Sequence, residues 1–395
     1  MDQPEDVASP PVARLATTLL ATSLLGRLPQ AMSALALVRI VIDGGGGYAF
    51  AGALTGGYVV ASTVGTPLLG RVIDVTGRSR AVLLASGVVS TAALLGLALL
   101  VTAAPPAAFL LALVAGFAFP PLEPTLRSLW PRIMAPGAQL ARAFGADAAA
   151  QEVLFILGPL LAVAAAALLG ATGGVQVMAV AGLIGTVLFC THRLLRDRVA
   201  TSEGREAHPS ALRTRAVRTL IVAQVAAGLP IGVLTISAAR LAAIAGESAL
   251  NGWALAVNAG GALTGALLIA RFPPRIAPER ALRILLVLLA LLYLPTAAFG
   301  LTPAVWLAGA SLAGLCLPPL LTQVFAITAT TPQASLTEAN GWVISAFSVG
   351  IGVGTALAGV LAGSVLAIIG ASVVALLGAM YASPSRLGAR PPMPG

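Results

Sequence analysis

Gly70-Arg71-Val72-Ile73-Asp74-Val75-Thr76-Gly77-Arg78-Ser79-Arg80 forms a short, arginine-rich turn between two long apolar runs, residues 48–69 and 81–103. Two helices that cross a bilayer and reverse at its cytoplasmic face would leave such a loop. Gly70 and Gly77 permit the tight reversal, and Arg78 and Arg80 hold the loop on the cytoplasmic side. Asp74, near the end of the first helix, is placed to accept hydrogen bonds from the N-terminus of a neighbouring helix.

The pattern continues outward along the whole chain. A membrane helix needs about 20 apolar residues, and twelve such runs are found, at 15–39, 48–69, 81–103, 106–128, 143–169, 173–193, 217–240, 249–270, 281–300, 303–326, 338–362 and 364–383. Of the 395 residues 58% are hydrophobic and 9% charged, against about 25% charged in a soluble domain. The fold class expected is therefore an all-α membrane protein. A net charge of +9 would suit a nucleic-acid partner. The basic residues lie in short loops and not on one solvated face, which excludes it. Cys190 and Cys316 sit inside apolar runs and read as small buried hydrophobes. No spacing suggests a disulfide framework or a metal site. Asp2, Glu5 and Asp6, with no short apolar core and cleavage site after them, do not read as a signal peptide.

All 23 basic residues are arginines. With the N-terminus inside, all but Arg27, Arg39 and Arg240 fall on the cytoplasmic side, so both termini are expected there, in a multi-pass protein of the cell (inner) membrane. Trp130 and Trp342 near inner ends, with Tyr48, Trp253 and Trp306 near outer ends, fit interfacial belts. The polar stretch 197–216 reads as a cytoplasmic linker between an N-terminal bundle (1–196) and a C-terminal bundle with a short tail (217–395). The halves echo each other. Leu28-Pro29 and Arg39 recur as Leu229-Pro230 and Arg240, offset by 201. Gly65, Arg71 and Arg80 recur as Gly265, Arg271 and Arg280, offset by 200. Pro120-Pro121 recur as Pro318-Pro319, offset by 198. Two pseudo-symmetric six-helix bundles follow. In the second copy of the loop Pro274 stands where Asp74 stands.

Charges inside a span cost about 2.5–3.5 kcal/mol each on insertion scales and need a reason. Arg27 lies mid-way along the first span and Glu152 mid-way along the fifth, with Gln151 beside it. Asp147 lies nearer the cytoplasm, close to the hydrated interface. At mid-bilayer depth desolvation disfavours the charged carboxylate, which suits a proton-binding site at Glu152. The other reading is a permanent Glu152–Arg27 ion pair. Glu123 and Arg127, four residues apart in acid-before-base order, read as a structural pair at the cytoplasmic end of the fourth span. In the C-terminal half Gln224, Asn258, Gln323 and Asn340 are polar groups in apolar runs, fit for substrate contacts or for helix–helix contacts. Small-xxx-small pairs at Gly52/Gly56, Gly261/Gly265 and Gly350/Gly354 permit close helix approach. Pro29, Pro120, Pro121, Pro230, Pro318 and Pro319 fall inside spans and would bend them. Only two histidines are present, His192 and His208, with no nucleophile–base set, which speaks against an enzyme.

The loop at 70–80, the twelve spans and the repeat together resemble the major facilitator superfamily of transporters. The resemblance implies a twelve-helix secondary active transporter working by alternating access, without a cofactor. Its driving force would be a proton gradient. Gly70, Asp74, Gly77, Arg78 and Arg80, with Glu123 and Arg127, would form a cytoplasmic gate joining the second and eleventh spans. Glu152, Asp147 and Arg27 would serve proton coupling. Gln224, Asn258, Gln323 and Asn340 would line the substrate cavity. It also implies that the second and eleventh, and the fifth and eighth, spans meet across the halves on their glycines. Gly158-Pro159 resembles the core of the antiporter motif of drug–proton exchangers. Leu154, Ala162 and Ala112 stand where that group carries two glycines and an arginine. The stretches 26–29, 120–130 and 147–159 are more similar to actinobacterial exporter-like members. The expected activity is proton-coupled export of a small amphipathic molecule by a monomer in the lipid bilayer. Uptake of a nutrient, sugar or organic acid, and a non-transporting membrane sensor, are the alternatives.

Overall fold

The computed structural model describes residues 10–195, 209–247, 249–272, 274, 276–297, 303–361 and 364–387. The linker expected at 197–216 and the C-terminal tail lie largely outside these residues. Every regular element among the described residues is helical, because a helix satisfies its own backbone N–H and C=O groups where no water is present. The first half holds α1 (Pro10–Asp43), α2 (Tyr48–Thr76), α3 (Ser79–Leu100), α4 (Pro105–Phe117), α5 (Leu122–Ile133), α6 (Ala138–Leu169) and α7 (Gly173–Thr191). The second holds α8 (Arg215–Ala245), α9 (Ala249–Arg271), α10 (Pro278–Tyr293), α11 (Pro303–Thr328), α12 (Leu336–Val360), α13 (Val365–Tyr381) and the short α14 (Pro384–Leu387). Counting Pro105–Ile133 as one span, 11 of the described stretches are long and apolar enough to cross a membrane. The 17-residue α13 is the shorter twelfth.

Beyond longer ends on α1, α2 and α6, two spans depart from expectation in form. The fourth is interrupted, not bent: α4 stops at Phe117 and α5 starts at Leu122. Pro120 and Pro121 have no N–H to continue the ladder. The chain tightens there instead, Phe119 N–H donating to Gly116 O at 3.0 Å. The equivalent Pro318 and Pro319 lie inside an unbroken α11. The ninth span starts earlier than expected, with Pro278 in the first turn of α10, and ends in a 3-10 turn, Leu294–Ala297.

The chain forms two compact units, one of residues 1–133, 153–210 and 333–341, the other of 134–152, 211–332 and 342–395. Each unit thus includes a short piece from the other half of the sequence. In the first, α1 packs on α2 and α7, α2 on α4, and α3 on α4 and α7. In the second, α8 packs on α9 and α13, α9 on α11, and α10 on α11 and α13. These are the same pairings, repeated.

The repeat extends to single atoms. A Cβ on Gly65 would lie 2.1 Å from Phe117 O, and one on Gly265 2.1 Å from Leu315 O. One on Gly116 would lie 2.2 Å from Tyr58 O, and one on Gly314 2.1 Å from Asn258 O. In both units two backbones touch at crossings that only glycine allows. The small-residue pairs named from the sequence act differently from expectation. Gly52 and Gly56 have nothing within 4 Å of an added Cβ. Gly261 and Gly265 face α11, and Gly350 and Gly354 face Val225 and Leu229 of α8. They fasten helices inside the second unit. Trp130 and Trp306, expected at interfaces, are 2% and 0% exposed and belong to protein interior.

Gly265→Ala should lower thermal stability, since forcing a methyl into a packed crossing costs about 1–3 kcal/mol. Gly56→Ala should be neutral or stabilising by up to about 1 kcal/mol, because only helix propensity changes. Thermal unfolding of both variants in detergent checks the pair; equal effects would contradict the assignment of these two glycines.

Candidate functional site

The signature loop closes α2 with Gly77 in the left-handed region, φ 66°, its N–H donating to Ile73 O at 2.9 Å. Gly70 and Asp74 lie one turn apart on the same face of α2. That face meets the first turn of α12. A Cβ on Gly70 would lie 3.0 Å from Thr337 O, and a Cβ on Gly341 2.7 Å from Pro67 Cα. The backbones come close because both positions lack a side chain.

This approach brings Asp74 onto the N-terminus of α12. Its Oδ2 accepts the Glu338 backbone N–H at 2.7 Å, and Thr337 also donates to it. Glu338 is the third residue of α12, where an N–H has no partner within the helix. The carboxylate of Glu338, a residue 3% exposed, is held from two sides. Arg71 Nη1 stands 3.3 and 3.2 Å from its two oxygens, and Ser210 Oγ donates to Oε1 at 2.6 Å. Hydrogen bonds to ionised groups contribute about 1.5–3 kcal/mol each when buried. Arg71, with its side chain 40% exposed, contributes less because water screens it.

The i,i+4 pair expected at Glu123 and Arg127 is present as a buried ion pair in α5. Next to it, Thr337 Oγ1 donates to Ser128 Oγ at 3.4 Å, which links α5 to the first turn of α12. Arg78 and Arg80 are exposed beyond the end of α2. All these residues belong to the first unit. Glu338 and Ser210 were not anticipated. Ser335-x-x-Glu338 has the spacing of a helix-start capping box, a signal that could have placed Glu338 in a first turn but not revealed its partner on α2.

The second copy of the loop is built differently. Pro274 offers no carboxylate. A Cβ on Gly145 of α6 would lie 2.9 Å from Ala270 N of α9, and Ala148, Ala149, Ala266 and Leu263 form an apolar contact beside it. This is an apolar counterpart of the polar α2–α12 cluster.

The charges expected to couple protons differ in how far the protein encloses them. Arg27, in the first unit, is 0% exposed. In the second unit Asp147 is also 0% exposed, while Glu152 is only half-buried. The hydrated position expected for Asp147 is therefore corrected: its side chain is enclosed by protein. Of the four neutral polar residues, Gln224 and Asn258 make helix–helix contacts. Gln224 Nε2 donates to Val343 O at 3.5 Å and Asn258 Nδ2 to Ala310 O at 2.8 Å. Asn340 and Gln323 donate within their own helices, to Leu336 O at 3.0 Å and Pro319 O at 3.3 Å. Gln323 also lines a cavity of about 310 Å³ in the second unit, between α9, α10 and α11.

A sequence model of the Major Facilitator Superfamily matches residues 19–329. No curated protein matches the chain. Among solved structures, a bacterial homologue of the iron transporter ferroportin, in an outward-facing state, superposes with a TM-score of 0.74 at 17% identity, over 93% of this chain and 97% of the other. The human organic anion transporter MFSD10 (TETRAN) gives 0.73 at 19% identity, over 95% and 100%. The proton:xylose symporter XylE gives 0.69 at 13% identity, over 93% and 95%. At such identities these likenesses speak for the fold. With the sequence match across most of its length, the chain belongs to the major facilitator superfamily of membrane transporters.

Proposed function

We propose that the protein is a proton-coupled exporter of a small amphipathic molecule, working as a monomer by alternating access. The observation that carries this reading is the pair of carboxyl groups within one apolar span: Asp147 sealed from solvent and Glu152 half-buried on α6. Carboxyl groups held there have to exchange protons or be compensated, since charge inside a span is costly. In this reading Glu152 is the proton site reached from outside and Asp147 a second site deeper in the protein. Arg27, the buried cation of the first unit, is the third member of the coupling set. The moving bodies are the bundles of residues 1–196 and 217–395, with the termini and the 70–80 loop cytoplasmic in the cell's inner membrane.

The Asp74–Glu338–Arg71–Ser210 cluster serves as the cytoplasmic gate, with Gly70 and Gly77 shaping it and Glu123–Arg127 bracing it. Arg78 and Arg80 keep the loop on that side. An organic solute fits better than a metal ion: among the described residues no group of three or more His, Cys, Asp or Glu side chains could hold one. The polar residues Gln224, Asn258, Asn340 and Gln323 all donate to main-chain carbonyls, and none of them brings a charge to the C-terminal half, which suits a mostly uncharged ligand.

In proteoliposomes, an imposed pH gradient should drive solute movement. Glu152→Gln should reduce that flux about tenfold or more, equivalent to ~1.4 kcal/mol. Gradient-driven flux unchanged in this variant would remove Glu152 from coupling, and accumulation instead of depletion in cells would make the protein an uptake system. For the gate, a cysteine at Thr337 on a background with Cys190 and Cys316 replaced by serine reports opening. Asp74→Ala should raise its alkylation rate about tenfold, since a lost charge-assisted hydrogen bond shifts the balance by ~1.5 kcal/mol or more. Asp74→Asn should do so less. An unchanged rate in Asp74→Ala would contradict the gate.

A further inference from the structure

The second copy of the signature loop keeps two arginines and loses the acid. Arg271 and Arg280 stand at the places of Arg71 and Arg80, and Pro274 at that of Asp74. Arg71 is committed to Glu338. Arg271 lies instead over the Phe272 ring, its guanidinium carbon 5.9 Å from the centroid. Phe272, exposed on its outer side, forms one wall of the cavity of about 310 Å³, with Pro274, Leu285, Pro319 and Gln323 among the other walls. Apart from Gln323, whose amide donates to Pro319 O, those walls are apolar. On α10 the exposed Arg280 stands one turn before Ile284, another lining residue that is itself exposed. Glu279, beside Arg280, occupies the first turn of α10, where a helix N-terminus favours negative charge.

We propose that this cavity is a binding site for one anionic phospholipid, with an acyl chain segment inside it and the phosphate between Arg271 and Arg280. An apolar pocket opening among exposed Phe272, Ile276 and Ile284 at the ends of apolar spans suits hydrocarbon better than water. Its volume admits roughly ten groups of about 30 Å³ each, a chain segment rather than a whole lipid. A chain alone would not distinguish one lipid from another. The two guanidiniums supply the distinction, and basic pockets between helices at the cytoplasmic side select anionic headgroups. The first loop copy uses its arginine to close on the protein's own carboxylate; the second presents its arginines to an outside anion.

Native mass spectrometry of the full-length protein, purified in detergent and titrated with defined lipids, tests this independently of transport. One phosphatidylglycerol should be retained, with phosphatidylcholine about thirtyfold weaker. Arg271→Gln with Arg280→Gln should abolish the preference while leaving the melting temperature unchanged. Leu285→Trp, which fills the cavity, should abolish retention of both lipids; Ala281→Leu serves the same purpose if the tryptophan variant is unstable. Equal retention of the two lipids, or undiminished phosphatidylglycerol binding in the filled and the Gln variants, would overturn the proposal. Competition by free glycerol phosphate at equal concentration would also overturn it, by showing an anion site with no use for the chain.

Discussion

A helix that begins inside a protein leaves several N–H groups without partners, and these have to be satisfied from elsewhere. For α12 a carboxylate on another helix does this. Asp74 takes the Glu338 N–H at 2.7 Å, and the side chain of the same Glu338 takes Arg71 and Ser210. One residue of α12 is thus engaged through both backbone and side chain. Two features make this possible: Gly70 and Gly341 allow the backbones to approach, and Gly77 ends α2 so that Asp74 lies in its last turn. Neutralising one member would leave the others with charge unmatched in a poorly hydrated place, which makes the cluster act as a unit.

The two units share a plan and differ in chemistry. The glycine crossings of α2 on α4 and α9 on α11 are repeated nearly atom for atom. The signature loop is not. Where the first copy has an acid, an arginine and a helix start, the second has Pro274 and small apolar side chains from Ala148, Ala149 and Ala266. A polar cluster separates only when its hydrogen bonds are replaced, whereas an apolar contact slides with little directional preference. The two ends of such a repeat therefore do not need to release under the same conditions.

Much of the fold was legible because a bilayer restricts the choices. Long apolar runs, arginine-rich loops and a nearly constant repeat offset leave few alternatives to paired helical bundles. The pair Glu123–Arg127 was legible because helical spacing alone brings it together. Glu338 was not, because its partners are 267 and 128 residues away and no local pattern names them. The Pro120–Pro121 break was misread as a bend because the same dipeptide at 318–319 is accommodated inside a helix; tertiary surroundings decide between these outcomes. Gly52 and Gly56 have the spacing of a packing motif but no neighbour. Spacing marks where a close approach is permitted, not where one occurs. Asp147 was placed by its distance along the helix, yet its burial is set by tertiary packing that position along a helix does not reveal.

The interruption at residues 118–121 divides the fourth span into two rods with different attachments. The upper rod, α4, is keyed into α2 through Gly65 and Gly116. The lower rod, α5, carries the Glu123–Arg127 pair and reaches Thr337 through Ser128. Between them lies a stretch with no continuous hydrogen-bond ladder to transmit twist. The span is therefore a jointed shaft whose two lengths are keyed to different partners, one to the neighbouring α2 and the other to the first turn of α12.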